Sequence, residues 1–237
     1  MSRVVLITGG TRGIGYAVAE ALLRSGDKVA ITGTSDDSVV KAEHTLCAID
    51  RGRVVGIVCD VREASSTELA VRTVVAKYGG IDVLVNSAGV GVGAPISDLP
   101  HDEWDRIIGT NLTGVFNCCK AAIPHLKTRG GGWIVNISSL ASTNPFAGGA
   151  AYCASKAGLN AFSDALMQEL RDDNIRVTTI LPGSVATGFS GREPATGAEW
   201  KLLPEDVAQA IVNVLNQPAR SLPSRVEIRP SRPKKSS

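Results

Sequence analysis

Tyr152 and Lys156 stand four residues apart, and Ser139 lies thirteen residues ahead of the tyrosine. On a helix, residues four apart share one face and are separated by one turn. A phenol beside an ammonium is a natural proton donor to a carbonyl oxygen. The same pair also suits an ordinary solvated helix, so its meaning depends on what surrounds it. An apolar run, Trp133-Ile-Val-Asn-Ile-Ser138, precedes the segment. A helical pattern follows, with Leu159, Phe162, Leu166 and Leu170 at the spacing of one buried stripe.

The elements that must position these residues alternate along nearly the whole chain. Apolar runs predict strands at residues 4–8, 28–32, 54–58, 81–85, 134–137, 175–181 and 226–228. Helical patterns fall between them, up to residue 23 after the first glycine-rich loop, then at 38–49, 65–77, 102–127, around Tyr152, and at 204–215. In the long stretch, Asp102 is the expected N-cap, with Glu103 and Asp105 in the first turn. Such alternation implies right-handed crossovers and an α/β, Rossmann-type doubly wound parallel sheet of about seven strands with helices on both faces. Residues 1–230 are expected to form one cofactor-binding and catalytic domain, and 231–237 a loose basic tail. Ligands of such sheets bind beyond the carboxyl ends of the strands. Residues 9–15, 86–89, 138–139 and 182–183 each lie just past a predicted strand, all at that edge.

Composition narrows the function classes. The 237 residues are 43% hydrophobic and 20% charged, with 25 glycines, a profile that suits a tightly turned parallel sheet and argues against a disordered chain. A net charge of +2 offers no electrostatic case for nucleic acid. The five cysteines lack ligand spacing and the three histidines are scattered, so no metal site is expected. No basic leader followed by an apolar core opens the chain, and no apolar run reaches the length of a membrane span. A soluble cytoplasmic protein with no membrane partner is the expectation.

Thr8-Gly9-x-x-x-Gly13-x-Gly15 joins the first strand to the first helix. Glycines there permit a tight turn and let backbone amides approach a pyrophosphate at the positive end of a helix. The spacing is neither Gly-x-Gly-x-x-Gly nor a P-loop, since Lys-Ser/Thr is missing after Gly15. Together with Asn86-Ser-Ala-Gly89, the Ser139, Tyr152 and Lys156 set, and Pro182-Gly183, this loop resembles the short-chain dehydrogenase/reductase family over roughly residues 3–215. Within the family the closest likeness is to the oxoacyl-carrier-protein reductases and related carbonyl reductases. The end differs: Val226-Glu-Ile-Arg-Pro230 replaces their glycine-rich Val-Asp-Gly-Gly segment.

The resemblance implies a nicotinamide cofactor held by Gly9, Thr11, Arg12, Gly13, Ile14 and Gly15, by Thr34, by Asp60 and Val61 at the adenine, and by Asn86, Ala88 and Gly89. Tyr152 and Lys156 also contact it, and Pro182, Gly183, Val185 and Thr187 complete the set, Thr187 at the carboxamide. Asp60 also reads as a capping acid. NAD-preferring relatives usually carry an acid after the second strand, whereas Gly33-Thr34-Ser35 leaves none here to repel a phosphate. Arg12 stands where NADP-preferring relatives often place a base, and a guanidinium suits a phosphate. NADP(H) is therefore preferred, with NAD(H) possible.

The implied catalytic residues are Asn111, Ser139, Tyr152 and Lys156. Hydride transfer would interconvert a carbonyl and a secondary alcohol, with Tyr152 as acid or base and Ser139 orienting the oxygen. Ser139 is favoured over Ser138 because it stands thirteen residues before Tyr152, the usual separation in the family, and only one of two strand neighbours can face the substrate. Lys156 would hold the nicotinamide ribose and depress the Tyr152 phenol. A free phenol titrates near about 10, and bringing it toward neutrality takes roughly 3–4 kcal/mol. A cation some 4–5 Å away supplies about that at an effective dielectric near 20. In the family the residue matching Asn111 kinks its helix and holds a water near the lysine. Two other readings share the fold: a non-catalytic NADP-sensing or scaffolding protein, and an epimerase or dehydratase. The intact Ser–Tyr–Lys set stands against the first, and the greater length and different glycine spacing of such relatives against the second. The substrate is expected to be a small carbonyl or alcohol compound, covered by residues 188–203, which are polar apart from Phe189 and Trp200. A homodimer or homotetramer is implied, pairing the helices of Asn111 and Tyr152 through a face that includes Phe116, Cys118, Cys119 and Phe162, with core placement of some of these as the alternative.

Overall fold

The structure, a computed structural model, describes residues 2–91, 93–189 and 199–232. Its strands are β1 (Val4–Thr8), β2 (Lys28–Gly33), β3 (Val54–Val58), β4 (Val83–Asn86), β5 (Gly132–Ile137), β6 (Ile175–Pro182) and β7 (Arg225–Ile228). Its helices are α1 (Gly13–Arg24), α2 (Asp36–Asp50), α3 (Ala64–Tyr78), α4 (His101–Ile108), α5 (Gly114–Thr128), α6 (Ala150–Leu170) and α7 (Pro204–Leu215). All seven strands pair in parallel in the order β3-β2-β1-β4-β5-β6-β7. The chain reverses its direction of travel across the sheet between β3 and β4, so β1 and β4 flank the switch point where ligands of such sheets bind.

The unbroken apolar runs read from the sequence are strands buried on both faces. All five residues of β1 and all four of β4 are buried. Alternate side chains divide between two cores. Val5, Ile7, Val83 and Val85 pack with Leu22, Leu46 and Ile211 beneath α1, α2 and α7. Leu6, Leu84 and Ile134 pack with Val74, Leu126 and Leu159 beneath α3, α5 and α6. Asp82, expected within the fourth strand, instead ends the preceding turn. Its carboxylate accepts the Val4 N–H at 2.7 Å and pairs with Arg129 at 2.8 Å.

Tertiary structure alters four further expectations. The helix predicted over 102–127 is two helices joined by a π-turn, Gly109–Thr113, with Asn111 buried at its centre. Its N-cap is Pro100, in extended conformation, and Asp102 lies inside the first turn. Cys118 and Cys119 are 3% and 1% exposed and belong to the core, whereas Phe116 on the same helix is 46% exposed. Burial pushes the Cys119 thiol up to about 12. Phe162 is half-buried at the margin of the α6 stripe. Of the segment expected to cover the substrate, residues 190–198 lie outside the described residues, as do 233–237 of the expected tail. Among the described residues no helix is long and apolar enough to cross a membrane.

Leu84 is fully buried on the central strand beside the switch point. Leu84→Ala is expected to destabilise the fold by about 2–5 kcal/mol through lost transfer energy and a residual cavity. A lowered urea midpoint at unchanged slope would show it.

Candidate active site

Four strand ends converge at one edge. At the end of β1, Gly9 has φ +64°, and a Cβ there would fall 2.7 Å from Ala88 Cα, so only glycine lets the two loops pass this closely. The Thr8 hydroxyl accepts the N–H groups of Ser87 and Ala88, both at 3.1 Å, and ties β1 to the loop after β4. Gly13, at φ +56°, opens α1, and a Cβ on it would stand 3.4 Å from Thr187 Cγ2. Thr187 thus faces the glycine loop from across the edge. It is held there by the segment after β6, in which the Gly183 N–H donates to Ile228 O and Val185 bridges to Leu202. Bare backbone leading into a helix N-terminus fits a dinucleotide.

Other cofactor candidates are placed unevenly. Arg12 is exposed, and so is Thr34 at the end of β2. The Thr11 methyl covers Gly33, where a Cβ would meet it at 2.6 Å. Ile14 packs on the core, leaving its backbone to the loop. The Asp60 carboxylate is forked by Arg62 at 2.6 Å, and this bond holds it below the usual carboxylate range. The capping side chain expected of Asp60 is thereby replaced by an Arg62 clamp, and α3 takes Glu63 as its N-cap residue. Val61 is 5% exposed and packs in the core, its carbonyl accepting from Asn117 at 3.0 Å. Asn86 is 2% exposed and donates to Asn136 Oδ1 at 2.8 Å, away from the edge. Its part is to hold the loop that carries Ala88 and Gly89.

Ser139, Tyr152 and Lys156 come together at the ends of β5 and α6. Ser139 caps the short turn Leu140–Ser142, its hydroxyl accepting the Ala141 N–H at 3.1 Å. Ser138, facing the other way, donates to Lys156 O at 3.3 Å, as the alternation of strand neighbours requires. Lys156 is 5% exposed; its Nζ donates to Ile137 O at 2.7 Å and lies 5.9 Å from the centroid of the Tyr152 ring. Phe189 packs edge-on against that ring at 5.8 Å. A Cβ on Gly89 would stand 3.8 Å from Lys156 Nζ and 3.5 Å from Asn111 Oδ1, so the loop after β4 floors the cluster.

Electrostatics differ from the expectation that Lys156 depresses the Tyr152 phenol. Burial raises the phenol above its usual value, and the Ser139 hydroxyl opposes that rise. Burial also pulls the Lys156 ammonium down to about 8. Both shifts have one cause: a dry cleft penalises the charged form of each group. The Asn111 side chain is tied to the β4 loop and to α6. Its Oδ1 accepts the Val90 N–H at 2.9 Å, and its Nδ2 donates to Val90 O at 2.8 Å and Ser155 Oγ at 3.0 Å. Every polar atom of that side chain is engaged in clamping the β4 loop to α6. Thr8, Ser155, Asn117 and Asn136 escaped the sequence reading as site supports. Thr8 was visible as the first residue of the glycine-loop motif but not as the acceptor that ties β1 to the loop after β4, and the other three carried no local signal.

The lowered Lys156 value has a stability consequence. Between about 8 and the ordinary 10.5, the unfolded chain binds a proton that the folded chain does not. The burial penalty is therefore full below about pH 8 and is relieved as pH rises through that window, by on the order of 3 kcal/mol. Urea melts at pH 7 and pH 10 should show the wild-type protein gaining stability relative to Lys156→Met.

Residues 3–197 match the model of a family described as short chain dehydrogenase. A D-threitol dehydrogenase of Mycolicibacterium smegmatis is 38% identical over 205 residues, covering 85% of this chain and 78% of that one. Among solved structures, an alcohol dehydrogenase of the archaeon Thermococcus sibiricus complexed with 5-hydroxy-NADP superposes with a TM-score of 0.91 at 31% identity, covering 98% of this chain and 99% of that chain. A 3-ketoacyl-(acyl-carrier-protein) reductase of Brucella melitensis complexed with NADH gives 0.88 at 25% identity, covering 97% of each. With the matched segment running from β1 past the Ser139, Tyr152 and Lys156 cluster, the chain belongs to the short chain dehydrogenase family and is an oxidoreductase of that family.

Proposed function

We propose that the protein interconverts a carbonyl and a secondary alcohol with NADP(H) as preferred cofactor and Tyr152 as the acid and base. The observation that carries this reading is the meeting of Ser139, Tyr152 and Lys156 on the same sheet edge as the glycine loop. NADP(H), when bound, supplies or takes up the hydride. Gly9, Gly13 and Gly15 would receive its pyrophosphate at the start of α1, with Thr187 facing them. A complex of a relative with an NADP derivative supports the cofactor, and another with NADH keeps NAD(H) within reach.

The proton chemistry belongs to the chain itself. With its phenol raised by burial, Tyr152 is held neutral at physiological pH and carries the proton that a carbonyl oxygen needs. The Ser139 hydroxyl, beside it, orients that oxygen. Lys156, brought to about 8, exchanges a proton near neutrality and can restore the one Tyr152 gives up. Asn111 positions this pair by clamping the β4 loop to α6. One unit spanning residues 1–230 is part of the same reading, supported by a single sheet that runs from β1 to β7. So is a cytoplasmic setting, supported by five free cysteines.

Tyr152→Phe removes only the hydroxyl. It is expected to lower carbonyl-reductase kcat at least about 100-fold, the usual scale of positioned acid catalysis. NADPH binding, followed by fluorescence titration, should persist; turnover near the wild-type rate would sink the assignment. The reading also includes a homodimer or homotetramer formed through α4–α6, where Phe116 and Trp104 are 46% and 37% exposed. Light scattering at micromolar concentration should return a multiple of 24.7 kDa, and a monomer would count against it.

A further inference from the structure

We propose that Lys41 is a specificity-determining residue that binds the cofactor's 2′-phosphate together with Arg12; this rests on the NADP(H) reading above. An open groove of about 360 Å³ runs between the start of α1 and the inner side of α2. Thr11, Arg12 and Tyr16 line it from one side, and Ser38, Lys41 and Thr45 from the other. It adjoins the glycine loop, because Thr11, Arg12 and Gly13 belong to both.

Charge and hydrogen bonding select Lys41 from this lining. Several surface cations find acids, Arg24 with Glu20, Arg53 with Asp50 and Arg62 with Asp60, while others such as Arg51 and Arg220 do not among the described residues; what distinguishes Arg12 and Lys41 is that both line one groove. Arg12 and Lys41 are both exposed, and neither side chain makes an ion pair or hydrogen bond among the described residues. No acid lines the groove. Asp36 and Asp37 open α2 ahead of it, and Asp37, one turn before Lys41, forms no ion pair with it. The α2 hydroxyls are already committed, Ser38 to Ser35 O at 2.9 Å and Thr45 to Lys41 O at 3.0 Å. An anion entering the groove therefore meets two free cations, one from each wall. A phosphate monoester carries close to two negative charges, which a guanidinium fork and a mobile ammonium together complement. Arg12 was visible in the sequence from its place in the loop. Lys41 was not, because α2 had to fold against α1 before the two faced one groove.

Calorimetric titration of the full chain with 2′,5′-ADP and with 5′-AMP tests this directly. The wild-type protein should prefer 2′,5′-ADP. In Lys41→Ala the ratio of the two affinities should fall about tenfold, or about 1.4 kcal/mol. The slope of log affinity for 2′,5′-ADP against log salt should become shallower, and Lys41→Arg should restore most of the ratio. Lys41 is exposed on a helix, and alanine is the strongest helix former, so the variant keeps its fold. If the wild-type protein prefers 2′,5′-ADP and Lys41→Ala keeps the full ratio, Lys41 has no such role and the NADP(H) reading stands. If the wild-type protein shows no preference, the NADP(H) reading fails and this proposal fails with it.

Discussion

A lysine side chain only 5% exposed constrains this structure more than any other single group. Removing an ammonium from water costs several kcal/mol even after relaxation. Here the cost is met in two ways: the group's proton affinity falls until it titrates near 8, and its Nζ is held by the Ile137 carbonyl at 2.7 Å. That bond requires α6 to cross the carboxyl end of β5 at one height and one rotation. Once it does, Tyr152, one turn earlier, stands beside Ser139, and Ser138 is left to bond the helix backbone from below. The candidate catalytic cluster is thus a consequence of where one buried amine can be tolerated.

Two lines of buried polar groups keep α6 in that register. Asn86 on β4 donates to Asn136 on β5, which donates to Ser163 on α6, which donates to Leu159 O within the helix. Higher on the same side, Asn111 joins Val90 to Ser155. Polar groups in a dry interior bond with directional geometry and are costly when left unpaired, so these chains favour one docking of the helix over many apolar alternatives. The π-turn belongs to the same arrangement. Its extra residue turns the Asn111 side chain toward the β4 loop, and Gly114 just beyond it makes room for Val61, against which a Cβ would stand only 2.6 Å away.

Much of the fold was legible because its signals are local. Short β-branched runs such as Val-Val-Leu-Ile-Thr, bounded by turn residues, read as strands buried on both faces, and the alternation of such runs with helical stripes leaves few topologies. The candidate site was legible in outline because Gly9 to Gly15, Ser139, Tyr152 and Lys156 together carry a family resemblance in their order and spacing. What misled was equally local. Residues 102–127 carry an unbroken helical pattern, and a π-turn, which inserts one residue without changing polarity, leaves that pattern almost intact. Cys118 and Cys119 looked able to share an exposed face with Phe116, but two neighbouring positions of α5 both turn under α3 and the sheet, and only Phe116 remains outside.

By itself, the sequence determined the order of elements and the parallel sheet, which follow from local patterns along the chain. The candidate ligand edge and the candidate acid–base residues were named through the family resemblance that those patterns carry. Only the tertiary structure decided that Tyr152 and Lys156 share one buried cleft that shifts both toward their neutral forms, that the Asn111 side chain clamps the β4 loop to α6, and that Arg12 and Lys41 line one groove. Those properties depend on groups brought together from distant strands and helices. Burial and the geometry of partners are set by packing, which no local pattern encodes.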